Sequence, residues 1–304
     1  MRHGKSVRAP HRLLPGPIPR LPRPASSPSS PPVQRLGINQ QGYLGENLDA
    51  HAFLAAFLHQ ASRSGWSLDS LPAATDRHLS VAFRPAPRSQ TTPRRIYLSA
   101  GIHGDEPAAP LALLDLIRAD LLPRDADVWV CPCLNPSGLQ AGTRNSTDGI
   151  DLNRDYNHVR SPEVAAHIRW LRSVPPFDLA LLLHEDWESA GFYLYELNTD
   201  RQPSLAETII NAVRPVCPIE TAEIIDGRPT QAPGIILPPS DPTARTDWPE
   251  AFWLLQNGTP HSITLEAPSD FPLATRIAAL TTAILAALYV NSPQNPATSP
   301  HNFP

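Results

Sequence analysis

His103 and Glu106 stand three residues apart in His103-Gly-Asp-Glu106, directly after the short run from Ile96 to Ile102. At this spacing, where a buried strand gives way to a helix, an imidazole nitrogen and a carboxylate can be aimed at one point. Such a point suits a divalent cation, and mixed nitrogen and oxygen ligands with an open fourth position make up the donor set of catalytic zinc. The spacing alone is common, because a glutamate in the first turn of a helix is favoured by the helix dipole. What sharpens it is the order of polar residues downstream. His184 follows the continuously apolar stretch Leu179 to Leu183, and Glu266 is flanked by Ile263-Thr-Leu265 and Ala267-Pro268. Between Glu106 and His184 runs a polar loop holding Asn135-Pro-Ser-Gly138, Gly142-Thr-Arg144 and Asp151-Leu-Asn153-Arg154. Arginine there offers a planar pair of donors and asparagine an adjustable amide, together a fork for a carboxylate.

Each residue also has a plainer reading. His184 could be a hydrogen-bonded core histidine. Glu266 could be half of a buried salt bridge, since an unpaired carboxylate in an apolar strand is expensive. Arg144 and Arg154 could pair locally with Asp148, Asp151 and Asp155. Glu185-Asp186-Trp187, directly after His184, could bind a substrate ammonium group or face solvent.

The elements that must position these residues follow from hydrophobic periodicity. Helices are expected over 47–64, 108–122, 162–172 and 206–213, and after Pro272. Pro107 suits a first helical turn. Strands are expected over 79–84, 95–100, 128–134, 179–183, 191–197 and 263–266, with a long irregular loop over 226–249. Strands alternating with helices imply a mainly parallel or mixed sheet covered on both faces.

Composition narrows the function classes. The 304 residues carry a net charge of −4, yet residues 1–40 hold seven Lys/Arg and no Asp or Glu, leaving −11 on the remainder. An acidic body is a poor nucleic-acid partner. Residues 1–41 read as a basic Pro/Ser-rich tail, 42–291 as one catalytic domain and 292–304 as a flexible tail. Cys131, Cys133 and Cys217 form no disulfide framework and read as free thiols. Pro15, Pro17, Pro19, Pro22 and Pro24 break any apolar leader. Arg276 makes Leu273 to Val290 a core helix rather than a membrane span. A soluble cytoplasmic protein is the expectation.

The ordered set His103-x-x-Glu106, Asn-Pro-x-Gly, Arg144, Asp-Leu-Asn153-Arg154, His184 and Glu266 resembles the M14 zinc carboxypeptidase superfamily over about residues 94–290. Within it, the compact 81-residue interval from His103 to His184 is similar to small bacterial murein peptide amidases and to the succinylglutamate desuccinylase/aspartoacylase branch. The resemblance implies one zinc ion on His103, Glu106 and His184, with Glu266 as general base and Arg144 steadying an oxyanion. Asn153 and Arg154 would hold a substrate carboxylate. It implies a three-layer α/β/α sandwich around a mixed, mostly parallel sheet. The implied reaction is hydrolysis of an amide bond beside a free carboxylate in a small peptide. The alternatives are an N-acyl amino acid deacylase and a catalytically silent binding protein of the same fold. Tyr193 and Tyr195 are both available as a substrate-capping tyrosine, and spacing does not choose between them.

Overall fold

In the computed structural model, which describes residues 35–37, 46–89, 92–200, 202–241 and 245–289, the alternation read from sequence becomes one eight-stranded sheet. Its strands are β1 (Ser67–Ala74), β2 (Arg77–Arg84), β3 (Arg95–Ser99), β4 (Asp127–Cys131), β5 (Leu179–Asp186), β6 (Tyr193–Asn198), β9 (Ile235–Ile236) and β10 (His261–Pro268). They lie in the order β1-β2-β4-β3-β5-β10-β6-β9. The central strands β4, β3, β5 and β10 run parallel to one another, as β6 and β9 do, whereas β1-β2, β2-β4 and β6-β10 are antiparallel. A separate two-stranded hairpin joins β7 (Ile224–Ile225) to β8 (Arg228–Pro229). The segments expected as tails, 1–41 and 292–304, lie outside the described residues apart from 35–37.

Strand side chains alternate between faces, and the central strands show it residue by residue. Ile96 and Leu98 of β3 and Leu179, Leu181 and Leu183 of β5 enter one core. Tyr97 of β3 and Ala180 and Leu182 of β5 enter the other. The first core is closed by α1 (Ala50–Arg63), α2 (Ala108–Arg118), α5 (Ala206–Val213) and α7 (Leu273–Tyr289). The second is closed by α4 (Pro162–Leu171) and α6 (Glu250–Gln256). This is the α/β/α sandwich expected. Phe53, Phe57 and Ala61 of α1 are buried at four-residue spacing, and Asp49 caps that helix by accepting from the Ala52 amide. Among the described residues no helix is long and apolar enough to cross a membrane. Within α7, Leu280, Ala283 and Ile284 pack into the core instead.

Three local differences from the sequence expectation have physical causes. Helix α2 stops at Arg118 rather than at 122, because Asp120 takes a left-handed φ of 52°. The carbonyls of Leu122 and Pro123 beyond it accept from Arg84. Strand β1 has no alternating apolar pattern to betray it, because it is an exposed edge strand paired only with β2. The interval 226–249 is not wholly irregular, since it carries β8 and β9.

Candidate metal centre and substrate cleft

β3 runs to β4 through α2 on one side and has β5 on its other side, so the chain order reverses between β3 and β5. Ligands of open α/β sheets bind in the crevice at the carboxyl ends of strands at such a reversal. His103 lies in the turn just after β3. His184 lies near the end of β5, and period-two alternation puts it on the face of Ala180 and Leu182. Glu266 of β10 sits directly across from His184 in the parallel register. Two neighbouring strands thus present an imidazole and a carboxylate side by side.

The His103 turn is fixed by close backbone contact. A Cβ on Gly104 would fall 1.9 Å from the carbonyl carbon of Gly138, so only glycine lets the turn rest on α3 (Pro136–Ala141). Asn135 explains the Asn-Pro-x-Gly motif. Its Oδ1 caps α3 by accepting from the Gly138 amide, and its Nδ2 donates to the Arg144 carbonyl. The motif therefore ties the loop bearing Arg144 to the turn bearing His103.

His103, Glu106 and His184 are all buried and can place one ligand atom each within 4.8 Å of one another. Nδ1 of His103 lies 2.6 Å from Oε1 of Glu106, and Nδ1 of His184 lies 3.1 Å from Oε2. The second contact satisfies the distance of an ion pair, yet Oε2 has no hydrogen bond among the described residues. Direction decides here, because a short contact off the donor axis is not a hydrogen bond. A buried carboxylate set against two imidazole nitrogens, with one oxygen lacking a hydrogen bond, offers the mixed nitrogen and oxygen donors that a divalent cation takes. The donor set fits a divalent metal.

Asp151 supplies a part that the sequence reading left as a local ion-pair partner. Its Oδ1 lies 3.2 Å from Nε2 of His103, while its Oδ2 accepts from Arg144 Nε at 3.1 Å. A carboxylate on the far nitrogen fixes a ligand histidine's tautomer and orientation. Against the cost of burial, the His103 bond and the charges of Arg144 and Arg154 hold Asp151 below the ordinary carboxylate range. Glu106 is likewise held low, its burial outweighed by His103 and His184.

The cleft beyond this centre has a volume of about 220 Å³ and is lined by Arg144, Asn153, Arg154 and Glu266 among others. All seven residues singled out from sequence therefore meet at one place. Arg144 is half-exposed and reaches to 3.9 Å from Glu106. It does pair with Asp151, as the plainer reading allowed. Arg154 is exposed and forms no ion pair with Asp148 or Asp155; Asp148 binds Arg77, and Asp155 binds Ser161 and Arg160. Asn153 Oδ1 accepts from the Glu250 amide, which leaves its Nδ2 to the cleft. Glu266 makes no salt bridge among the described residues. Burial pushes its carboxyl well above the usual range, with Glu106 and Asp186 adding to the shift and His184 opposing it.

Two expectations near His184 are corrected. Glu185 neither faces solvent nor waits for an ammonium group. Alternation turns it to the opposite face, where it is fully committed to Arg276 of α7 and the Ala108 amide. Asp186 remains in the cleft but accepts from Tyr193 Oη at 3.0 Å. Tyr195 Oη donates to Asp226 at 3.0 Å, so both tyrosines line the cleft with their hydroxyls engaged.

Comparison with known proteins agrees with this geometry. Residues 92–213 match the succinylglutamate desuccinylase/aspartoacylase catalytic domain. Murein peptide amidase A of Escherichia coli K12 is 35% identical over 83 residues, covering 27% of this chain and 34% of that protein. Carboxypeptidase SOL1 of Arabidopsis thaliana is 30% identical over 104 residues, covering 27% of this chain and 21% of that protein. The chain thus spans about a third or less of the length of these relatives. Among solved structures, a Shewanella denitrificans protein superposes with a TM-score of 0.68 at 22% identity, over 81% of this chain and 91% of its own. A metallo-carboxypeptidase from Burkholderia cenocepacia gives 0.58 at 21% identity, over 78% and 67%. These structures share the fold, and the family match over residues 92–213 spans the segment that carries the His/Glu pair and the Asn-Arg loop. Residues 92–213 therefore carry a sequence like that of the desuccinylase/aspartoacylase catalytic domain, within a fold shared with solved metallopeptidases.

Proposed function

We propose that the protein is a zinc-dependent hydrolase that cleaves an amide bond next to a free carboxylate in a small peptide. The observation that carries the reading is the pairing of Glu266 with His184 across two parallel strands, beside His103 and Glu106 and on the same cleft as Arg144, Asn153 and Arg154. When bound by His103, Glu106 and His184, zinc would supply positive charge that acidifies a nearby water and polarises a carbonyl. That charge also favours the ionised form of Glu266. Ionised Glu266 takes a proton from water and later delivers it to the leaving amine, so the amide C–N bond breaks as a carboxylic acid and an amine form. Arg144 meets the negative charge developing on the carbonyl oxygen. Asn153 Nδ2 and the Arg154 guanidinium hold the substrate carboxylate and so fix which bond lies over the centre.

The same chemistry serves an N-acyl amino acid deacylase, and the match of residues 92–213 to the desuccinylase/aspartoacylase domain favours keeping it as a second reading. Parallel assays on N-acyl amino acids and on γ-D-glutamyl peptides separate the two. Three buried, unpaired cysteines support a cytoplasmic setting. The reading as a whole is tested by metal content and turnover. Wild type should bind one zinc per chain, His103→Ala should lose it, and Glu266→Gln should keep the metal while losing turnover. Unchanged metal content in His103→Ala refutes the site.

A further inference from the structure

Two stretches far apart in the chain meet at the cleft. The first, 153–157, begins with Asn153 and Arg154; the second, 246–250, leads through Pro249 into α6. Asn153, Arg154 and Pro249 all line the cleft. Hydrogen bonds join the two stretches. The Tyr156 amide donates to the Trp248 carbonyl at 3.3 Å, and the Trp248 amide donates to Asn157 Oδ1 at 3.1 Å. Asn157 Nδ2 donates to the Thr246 carbonyl at 2.7 Å, and the Glu250 amide donates to Asn153 Oδ1 at 3.0 Å.

The bond from Glu250 sets what Asn153 can offer a ligand. An asparagine side chain ends in an acceptor on one side and a two-proton donor on the other. A backbone N–H admits only the oxygen, because a second donor turned towards it would leave both without an acceptor. The place of the Glu250 amide therefore decides that Nδ2 is the end presented to the cleft. That amide opens α6, whose N-cap, Pro249, makes no side-chain bond. Amides in a first helical turn have no partner within their own helix, so this one is free to serve Asn153.

The side chain of the same residue holds that amide in place. The Glu250 carboxyl accepts from Tyr97 Oη and Ser99 Oγ. Residues 97 and 99 share one face of β3, the strand that runs into the His103 turn. Among the described residues no other side chain of α6 hydrogen-bonds to the sheet. The contacts then close on themselves. Tyr97 meets His167 of α4, and His167 meets Tyr156, three residues past Asn153. All five of these side chains are buried, and a buried polar network with its partners satisfied is rigid. None of the five lines the cleft, so any effect of theirs on a ligand passes through a residue that does.

We propose that Glu250 is a positioning residue for the substrate carboxylate: its side chain, seated on Tyr97 and Ser99, holds the α6 amide that turns Asn153 Nδ2 towards the cleft. The role of Asn153 rests on the hydrolase reading above, whereas the hold of Glu250 on Asn153 does not.

The test uses the zinc-loaded, full-length chain. In nitrogen-resolved NMR spectra the side-chain amide signals of Asn153 are identified by their absence in Asn153→Ala. They should move or broaden in Glu250→Ala and lie close to their wild-type positions in Glu250→Gln, whose amide can accept from Tyr97 and donate to Ser99. Unmoved signals in folded Glu250→Ala, or an equal displacement in Glu250→Gln, overturn the proposal. Calorimetric binding of N-acetylalanine, a small free carboxylate, gives the second readout. Glu250→Ala should weaken binding about tenfold, Glu250→Gln should recover most of that, and Glu250→Ala should add no further loss in the Asn153→Ala background. Equal losses in both backgrounds overturn the proposal, because the effect then bypasses Asn153. If Glu250→Ala does not fold, Tyr97→Phe combined with Ser99→Ala removes the same two anchors and must give the same changes. If neither Asn153→Ala nor Glu250→Ala alters binding while the Asn153 signals still respond, the carboxylate reading fails and the hold on Asn153 stands.

Discussion

Replacing Glu250 by glutamine should flatten the dependence of stability on pH. Glu250 opens α6 beneath the cleft and is buried, with Tyr97 Oη donating to Oε1 and Ser99 Oγ to Oε2, each at 2.8 Å. The chain of contacts continues from Tyr97 Oη to His167 Nε2 at 2.9 Å and from His167 Nδ1 to Tyr156 Oη at 2.7 Å. Burial raises the Glu250 carboxyl from 4.5 to about 7, against the two hydroxyl bonds and the charge of His184, all of which lower it. The same burial lowers His167 to about 3, so the network is neutral near pH 6.

The sign follows from proton binding. Between pH 4.5 and about 7 the unfolded chain has released this proton and the folded chain has kept it. Stability from this group is therefore complete below 4.5 and is lost as pH rises through about 7. At about 1.4 kcal/mol per pH unit, the loss on going from pH 4.5 to pH 8 is about 3 kcal/mol. The glutamine amide is nearly the same shape and cannot ionise. Its oxygen can accept from Tyr97 and its nitrogen can donate to Ser99. Urea unfolding of wild type and Glu250→Gln at pH 5, 6, 7 and 8 measures the effect. The variant should be within about 1 kcal/mol of wild type at pH 5 and more stable by about 2 kcal/mol at pH 8. Parallel pH profiles for the two proteins would refute the reasoning, because they would mean that Glu250 ionises in the folded chain as easily as in the unfolded one.

Other perturbations test other parts of the structure. Arg276→Met removes the partner of buried Glu185 and should destabilise the fold by about 3–5 kcal/mol; adding Glu185→Leu should restore much of this in thermal melts. Asp151→Asn takes the carboxylate from His103 and should weaken zinc about 10- to 100-fold, as read by chelator competition. Gly104→Ala forces a Cβ against Gly138, so it should displace His103 and lower zinc stoichiometry even where circular dichroism still shows a folded chain.

Chain-local information carried the chemistry and the layer architecture. The alternation of strands and helices, the His-x-x-Glu turn, the histidine closing an apolar strand and the glutamate inside another are all written in neighbouring residues. Each of these features is a short-range pattern with a short-range cause, either side-chain periodicity or a polar residue where burial would otherwise exclude it. What stayed hidden depended on partners far along the chain. Strand β1 exists through pairing with β2 and shows no pattern of its own. Glu185 could not be assigned until Arg276 of α7, 91 residues away, was brought against it. Asp151 became the support of His103 across 48 residues. Burial and charge pairing are properties of neighbours in space. The sequence by itself therefore determined which residues could serve a metal and a carboxylate, while the tertiary structure decided which acids and arginines were left free to do so.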